Sequence, residues 1–151
     1  MPMVGEILFA DTNIFLTATD RSRKNHEIAR NLLMEASRGQ FHLALSGQVL
    51  REYLVVATRP VDVNGLGLSS HSALRNVHVF TNPPFTFCEE SEAVSIKLRE
   101  LAEIKDLTGR RLHDANIAAT MLVHGITTIV TQNASDFTQL GEIQVRNLSE
   151  A

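Results

Sequence analysis

The chain has 151 residues, 44% hydrophobic and 21% charged, with a net charge of −3 and one cysteine. That is the size and composition of one folded domain, residues 1–151, with a core of its own. It excludes a protein coated in positive charge to grip nucleic acid, an internal disulfide and a multi-cysteine zinc site, and no apolar run approaches the roughly 18 residues that cross a membrane.

The N-terminus, MPMVGEILFAD, has no basic leader and meets Glu6 and Asp11 early, so no signal peptide is expected and a reduced, cytoplasmic setting fits best. "EILFA" reads as a short buried strand that ends abruptly in Asp11. "NHEIARNLLMEAS" reads as a helix with Ile28, Leu32 and Ala36 on one stripe, ended by Gly39. "FHLALS" is a second strand, and "GQVLREYLVVATR" a helix capped by Ser46 and stopped before Pro60. "RPVDVNGLGLSS" is an internal loop. "SSHSALRNVHVF" is a helix ended by Asn82-Pro83-Pro84, and "FTFC" a short strand. "ESEAVSIKLRELAEIK" is an amphipathic helix with Val94, Leu98 and Leu101 on one side. "LHDANIAATMLVHG" carries no charge from Ala115 to Val123 and predicts a helix buried on most sides. "ITTIVT" is a strand and "EIQVRNL" a last one.

Strands separated by helices predict an α/β fold with a parallel sheet and helices on both faces. In such sheets sites form outside the carboxyl ends of the strands. Asp11 stands at one such end, and Asn133 and Asp136 follow another. Each acid has a plain structural reading. Asp11 can cap a following helix, and Asp114 opens a helix where the dipole favours a carboxylate. Glu52 sits mid-helix, where a solvated glutamate is common, although its neighbours Val49 and Val56 make that face less than plainly polar. Asp136 suits a polar turn in "QNASDF", with Asn133 as its left-handed residue. The set is harder to dismiss than its members. Acids that gather from separate segments without counter-charges repel one another, and a divalent cation is the usual remedy. Hard oxygen donors without cysteine or paired histidines select Mg²⁺ or Mn²⁺, and such a site suits phosphoryl chemistry.

The order of these motifs resembles the PIN-domain ribonucleases, and most closely the VapC-type toxins of toxin–antitoxin pairs. "FADTNIFL" looks like the family's first motif, "SGQVLREYLVVATRP" like the second with Glu52, "LHDANIAATMLVHG" like the third with Asp114, and "IVTQNASDF" like the last. The resemblance implies a three-layer α/β/α PIN-like fold with a central parallel sheet of about five strands. It implies Mg²⁺- or Mn²⁺-dependent endonucleolytic cleavage of RNA, inhibition by a small cognate antitoxin, and a homodimer. Carried over by motif, Asp11, Glu52, Asp114 and Asp136 form the catalytic set, and with Asn133 they are the metal ligands. Glu52 binds metal or takes a proton from the attacking water. Thr12, Asn13 and Thr131 orient the ligand carboxylates. One departure stands at Asn133, where many relatives carry an aspartate; an amide can ligate but brings no charge.

Arg110, Arg111 and Arg51 lie beside the acidic motifs and form a candidate RNA rim, with Arg21, Arg23 and Lys24 further off; ordinary solvated surface is the simpler reading for any one of them. His113 is the one histidine beside the motifs, His71 and His78 share an exposed helix face, and Cys88 reads as a small core residue. Two other readings stay open. A phosphohydrolase forming an aspartyl-phosphate wants an acid where Asn13 stands and a lysine near the later acids, and none follows Lys105. A PIN-like binding module, catalytically impaired through Asn133, would hold RNA or protein without cutting.

Overall fold

The computed structural model describes residues 2–151. Short apolar runs become strands: β1 (Ile7–Ala10), β2 (His42–Ser46), β3 (Thr86–Cys88), β4 (Thr128–Thr131) and β5 (Gln144–Asn147). The helices are α1 (Thr12–Thr19), α2 (His26–Ser37), α3 (Gly47–Thr58), α4 (Ser70–Thr81), α5 (Glu92–Lys105) and α6 (Arg111–Val123). All strand pairings are parallel, in the order β3-β2-β1-β4-β5. Helices α1 to α4 pack as one group and α5 with α6 as another, the two outer layers that right-handed crossovers place on opposite faces. The fold is the three-layer α/β/α arrangement that the alternating pattern predicts.

The order of the sheet decides where a site can form. The chain leaves β1 toward β2 and β3 on one side, then returns to place β4 on the other side of β1. The helices after β1 and β4 therefore diverge, and a crevice opens between the two strand ends. The register sets Ala10 beside Val130, and the Asp11 N–H donates to Val130 O at 3.1 Å. Asp11 and Thr131 thus emerge side by side.

Some local details differ from the sequence pattern. The apolar periodicity shows no helix over α1, because Thr12, Ile14, Phe15, Leu16 and Thr17 are all buried and no 3.6-residue stripe appears; only the capping role open to Asp11 points to it. Ser46 stands at the N-cap of α3, but its hydroxyl makes no capping bond and is buried without a partner. Glu90 caps the helix instead, from the β3–α5 connection, accepting from Gln48 N at 2.8 Å. The loop after α3 includes a short 3₁₀ turn, Val61–Val63, and folds back on the helix end, with Leu66 N donating to Val56 O and Leu68 N to Ala57 O. Gly65 is required there, since a Cβ would meet Arg59 O at 1.9 Å. Ser69 caps α4 through Ser72 N, as a serine before a helix should. Cys88 is buried, and burial pushes its thiol up to about 11. His71 and His78 are both exposed.

The core under α1, α3 and α4 is aromatic. Phe80 lies 4.7 Å from Phe15, 5.5 Å from Tyr53 and 6.3 Å from Phe85 between ring centroids. Tyr53 is fully buried, and its hydroxyl meets Thr19 Oγ1 at 3.0 Å and Asn76 Nδ2 at 2.9 Å. It pins α1 and α4 to the helix that carries Glu52. Tyr53→Phe keeps the ring and strands the Asn76 amide, so it should cost about 1–2 kcal/mol in urea unfolding with an unchanged m value. A cost near zero would show that Asn76 finds water.

Candidate active site

The carboxyl ends of β1 and β4, the middle of α3 and the first turn of α6 meet around one groove of about 600 Å³. Asp11, Glu52, Asp114, Asn133 and Asp136 all line it, together with Thr12, Asn13, Arg110, Arg111 and His113. Arg51 lies outside it, in an adjoining hollow with Val55 and Arg59 that shares Thr12, Glu52, Val56 and His113 with the groove. Arg21, Arg23 and Lys24 line neither. Arg23 instead pairs with Asp20.

Asp11 is 8% exposed and densely held. Its Oδ1 accepts from Thr12 N at 2.8 Å, so it does cap α1. Its Oδ2 accepts from Thr131 Oγ1 at 2.7 Å and from Asn13 Nδ2 at 3.3 Å. Thr131 is wholly buried and also accepts from Asn133 N at 3.0 Å. Asn13 turns its carbonyl to Gln132 N at 3.2 Å, which ties the end of β4 to α1. Glu52 is half-buried. Its Oε2 accepts from Thr12 Oγ1 at 2.8 Å and its Oε1 from Gln48 Nε2 at 2.9 Å. Thr12 therefore touches both acids, one through its amide and one through its hydroxyl.

Asp114 is half-buried in the first turn of α6, where free N–H groups and the helix dipole favour a negative charge. Asn133 and Asp136 line the same groove and are both exposed. Asn133 has φ −114°, so it is not the left-handed residue that its turn context suggests. The loop instead closes through a 3₁₀ turn over Ala134–Asp136, which needs no positive φ there.

Two of these acids resist ionisation. Burial is the largest cause for Asp11 and pushes its carboxyl up, against the Thr131 hydroxyl and the Thr12 amide; the charges of Glu52 and Asp136 push the same way. Asp114 is pushed up to about 6, by burial first and then by the charges of Asp136, Asp11 and Glu52, while Arg110 pulls it back. Asp11 and Asp114 both feel the charges of their neighbours, and among the described residues none of the four acids is in a salt bridge.

The donor set fits a hard divalent cation by its chemistry: all oxygen, several negative charges, no sulfur and no resident cationic partner. As oriented here, the acids surround the groove rather than grip one point. Among the described residues no three Asp, Glu, His or Cys side chains converge tightly enough to enclose an ion. Asp11 and Glu52 are each turned onto their own hydroxyl and amide donors.

The sequence reading leaves out Gln48, Glu90, Asn116 and Gln132, which hold this scaffold together. Gln132 Oε1 accepts from Thr17 Oγ1 at 2.9 Å. Two of the four carried a visible signal: Gln48 lies one helical turn before Glu52, and Asn116 lies two residues after Asp114. Glu90 carried none, because its partners are distant in sequence.

Comparison with known proteins agrees with the fold and the motif order. The PIN domain model matches residues 8–143. Ribonuclease VapC24 of Mycobacterium tuberculosis (strain ATCC 25618 / H37Rv) is 30% identical over 135 residues, covering 89% of this chain and 92% of that protein. Ribonuclease VapC48 of the same strain is 28% identical over 138 residues, covering 91% and 94%. Among solved structures, Mycobacterium tuberculosis VapC20, a Sarcin-Ricin loop cleaving toxin, superposes with a TM-score of 0.68 at 19% identity, covering 93% of this chain and 99% of that one. VapBC2 from Rickettsia felis, bound to promoter DNA, gives 0.66 at 20% identity, covering 93% and 98%. At these identities the structures speak for the fold. The chain belongs to the PIN-domain family, among its VapC-type ribonucleases.

The raised Asp114 value fixes the sign of a pH effect. Between its ordinary 3.8 and about 6 the folded protein binds a proton that the unfolded chain has released. That stabilisation is present at low pH and is lost as pH rises through about 6. In metal-free buffer, the stability of the parent relative to Asp114→Asn should therefore fall from pH 5 to pH 7.5, read as the difference in Tm so that other groups cancel. A difference that rises over this range would contradict the electrostatic description.

Proposed function

We propose that this PIN-domain protein is a Mg²⁺- or Mn²⁺-dependent endoribonuclease and the toxin of a type II, VapBC-like pair. One observation carries the reading: four carboxylates from four segments line one groove, burial and neighbouring charges push Asp11 and Asp114 up, and among the described residues none of the four is in a salt bridge. That charge would repel a phosphodiester unless a cation stood between them.

In this reading Asp11 and Asp114 hold the cation, with Asp136 and the neutral Asn133 on the exposed wall. When bound, the divalent cation supplies an activated water and offsets the charge that grows on the phosphate. Glu52 either joins the ligands or accepts the proton of the attacking water, which its lone pairs on the groove side allow. Thr131, Asn13 and the Thr12 amide aim Asp11 and favour its ionised form against the burial that opposes it, because each donates to its carboxylate. Arg110 and Arg111 stand on the rim, where guanidinium groups suit the phosphates flanking the scissile bond. Hydrolysis by water needs no 2′-hydroxyl and leaves a 5′-phosphate. The relatives' names and the VapBC complexes among similar structures support a small antitoxin as partner, and a homodimer is expected from the same resemblance. No helix among the described residues is long and apolar enough to cross a membrane.

Incubating the purified protein with a mixed RNA pool and Mn²⁺ tests the reaction. Cutting should stop in EDTA, and Asp11→Ala should lose about 100-fold or more, the several kcal/mol expected when a metal ligand is removed. Cleavage that persists in either case, or RNA binding with no cleavage in the parent, would refute it. Arg110→Ala should weaken RNA binding across sequences and reduce the slope of log K against log salt by about 1. An unchanged slope would remove Arg110 from the RNA contact.

A further inference from the structure

Glu52 reaches the groove from the middle of α3, with no strand end to fix it. One oxygen is held by Thr12 and the other by Gln48. Gln48 is 2% exposed, and both its amide hydrogens and its carbonyl oxygen are engaged. Nε2 spends one hydrogen on Glu52 Oε1 at 2.9 Å and the other on His113 O at 3.0 Å. Its Oε1 accepts from Asn116 Nδ2 at 2.7 Å. Asn116 gives its second amide hydrogen to Glu90 Oε1 at 2.8 Å, and Glu90 Oε2 accepts the Gln48 backbone N–H at 2.8 Å. Gln48, Asn116 and Glu90 close a ring.

The ring dictates which way the glutamine faces. Glu90 is a carboxylate, so Asn116 must present its nitrogen to it. The same nitrogen meets Gln48, which must answer with its oxygen. Its nitrogen is then left for Glu52 and for the carbonyl one residue before Asp114. One rigid amide spans the gap between the helix that carries Glu52 and the helix that carries Asp114. Being neutral, it orients Glu52 without cancelling its charge.

We propose that Gln48 is a positioning residue of this site, setting Glu52 against the start of α6 through an amide whose orientation Asn116 and Glu90 lock. This rests on the reading of the groove as a divalent-cation nuclease site. Gln48 touches neither the rim nor the exposed wall, so its effect passes through Glu52 and α6 alone.

Gln48→Met keeps the length of the side chain and removes both donors. Mn²⁺ affinity, measured by calorimetry without RNA, should fall about 10–100-fold, and kcat should fall comparably. KM for RNA should stay within about threefold, since the phosphate contacts are untouched. A purely structural glutamine would lower Tm and leave the Mn²⁺ affinity and kcat of the folded protein alone. That result, or values within about twofold of the parent, overturns the proposal. Asn116→Ala frees the Gln48 amide to rotate without touching Glu52, and should weaken Mn²⁺ binding in the same direction by a smaller factor. If Gln48→Met does not fold, an unchanged affinity in folded Asn116→Ala overturns it equally. The parent arm separates the two claims. A parent that takes up no Mn²⁺ and cuts no RNA defeats the site reading and this inference with it, whereas a parent that does both, matched by Gln48→Met, defeats the inference alone.

Discussion

Negative charge gathered in one groove, and only partly answered by the arginines beside it, is the constraint on which this structure turns. Asp11 is nearly buried, Asp114 and Glu52 half-buried, and Asp136 lines the groove with them. A folded chain does not collect carboxylates in this way by accident of packing, because each one taken from water raises the cost of the next. The sheet makes the gathering possible. Reversal of strand order between β1 and β4 opens a crevice at the strand ends, and the parallel register brings Asp11 into it with the buried Thr131 beside it. The helices α3 and α6 then bring in the acids that no strand could supply.

The acids are aimed by neutral groups. Asp11 takes a hydroxyl, an amide side chain and a backbone N–H, and Glu52 takes a hydroxyl and an amide. Cations are kept to the rim or used elsewhere. Arg146 pairs with Glu6 at 2.8 Å on the far strand, and Arg38 pairs with Glu35 within α2. An arginine bonded to Asp11 would have stabilised the apo protein and cancelled the charge that makes the groove useful. Orientation by hydroxyls and amides keeps geometry and charge independent of each other.

Much of this layout was legible because strand ends and helix starts are local features. "EILFA" before Asp11 and "ITTIVT" before Asn133 placed two walls of the groove, and the uncharged stretch after Asp114 marked a helix with little free surface. What stayed hidden was long-range. Glu90 lies in "CEESE", a stretch that reads as an ordinary solvated helix start, yet its carboxylate caps a helix that begins more than 40 residues earlier, with 42 positions separating it from Gln48. Ser46 looked like that cap by type and position, but a serine can only cap if its rotamer faces the open N–H, and here a better acceptor arrives from outside. Helix α1 showed only in the capping role open to Asp11, for the opposite reason: burial on nearly every side erases the periodicity by which helices are recognised.

The last loop shows how little of a residue's contribution need lie in its side chain. Asn133 brings an amide to the groove where the family resemblance leads one to expect an acid, and so it adds no charge. Its backbone N–H, however, donates to Thr131 Oγ1, and Asn13 Nδ2 approaches the same oxygen at 3.3 Å. With donors on both lone pairs, the Thr131 hydroxyl has its own hydrogen left to give, and Asp11 Oδ2 stands 2.7 Å away. A hydroxyl forced to donate favours the ionised carboxylate over the protonated one, against the burial that pushes the other way. The ionised form of Asp11 is thus favoured by a main-chain group whose geometry is indifferent to whether residue 133 ends in an amide or an acid. Asp136 is the negative side chain that this loop brings to the groove, and on this side the charge comes from its exposed carboxylate while the geometry comes from the backbone.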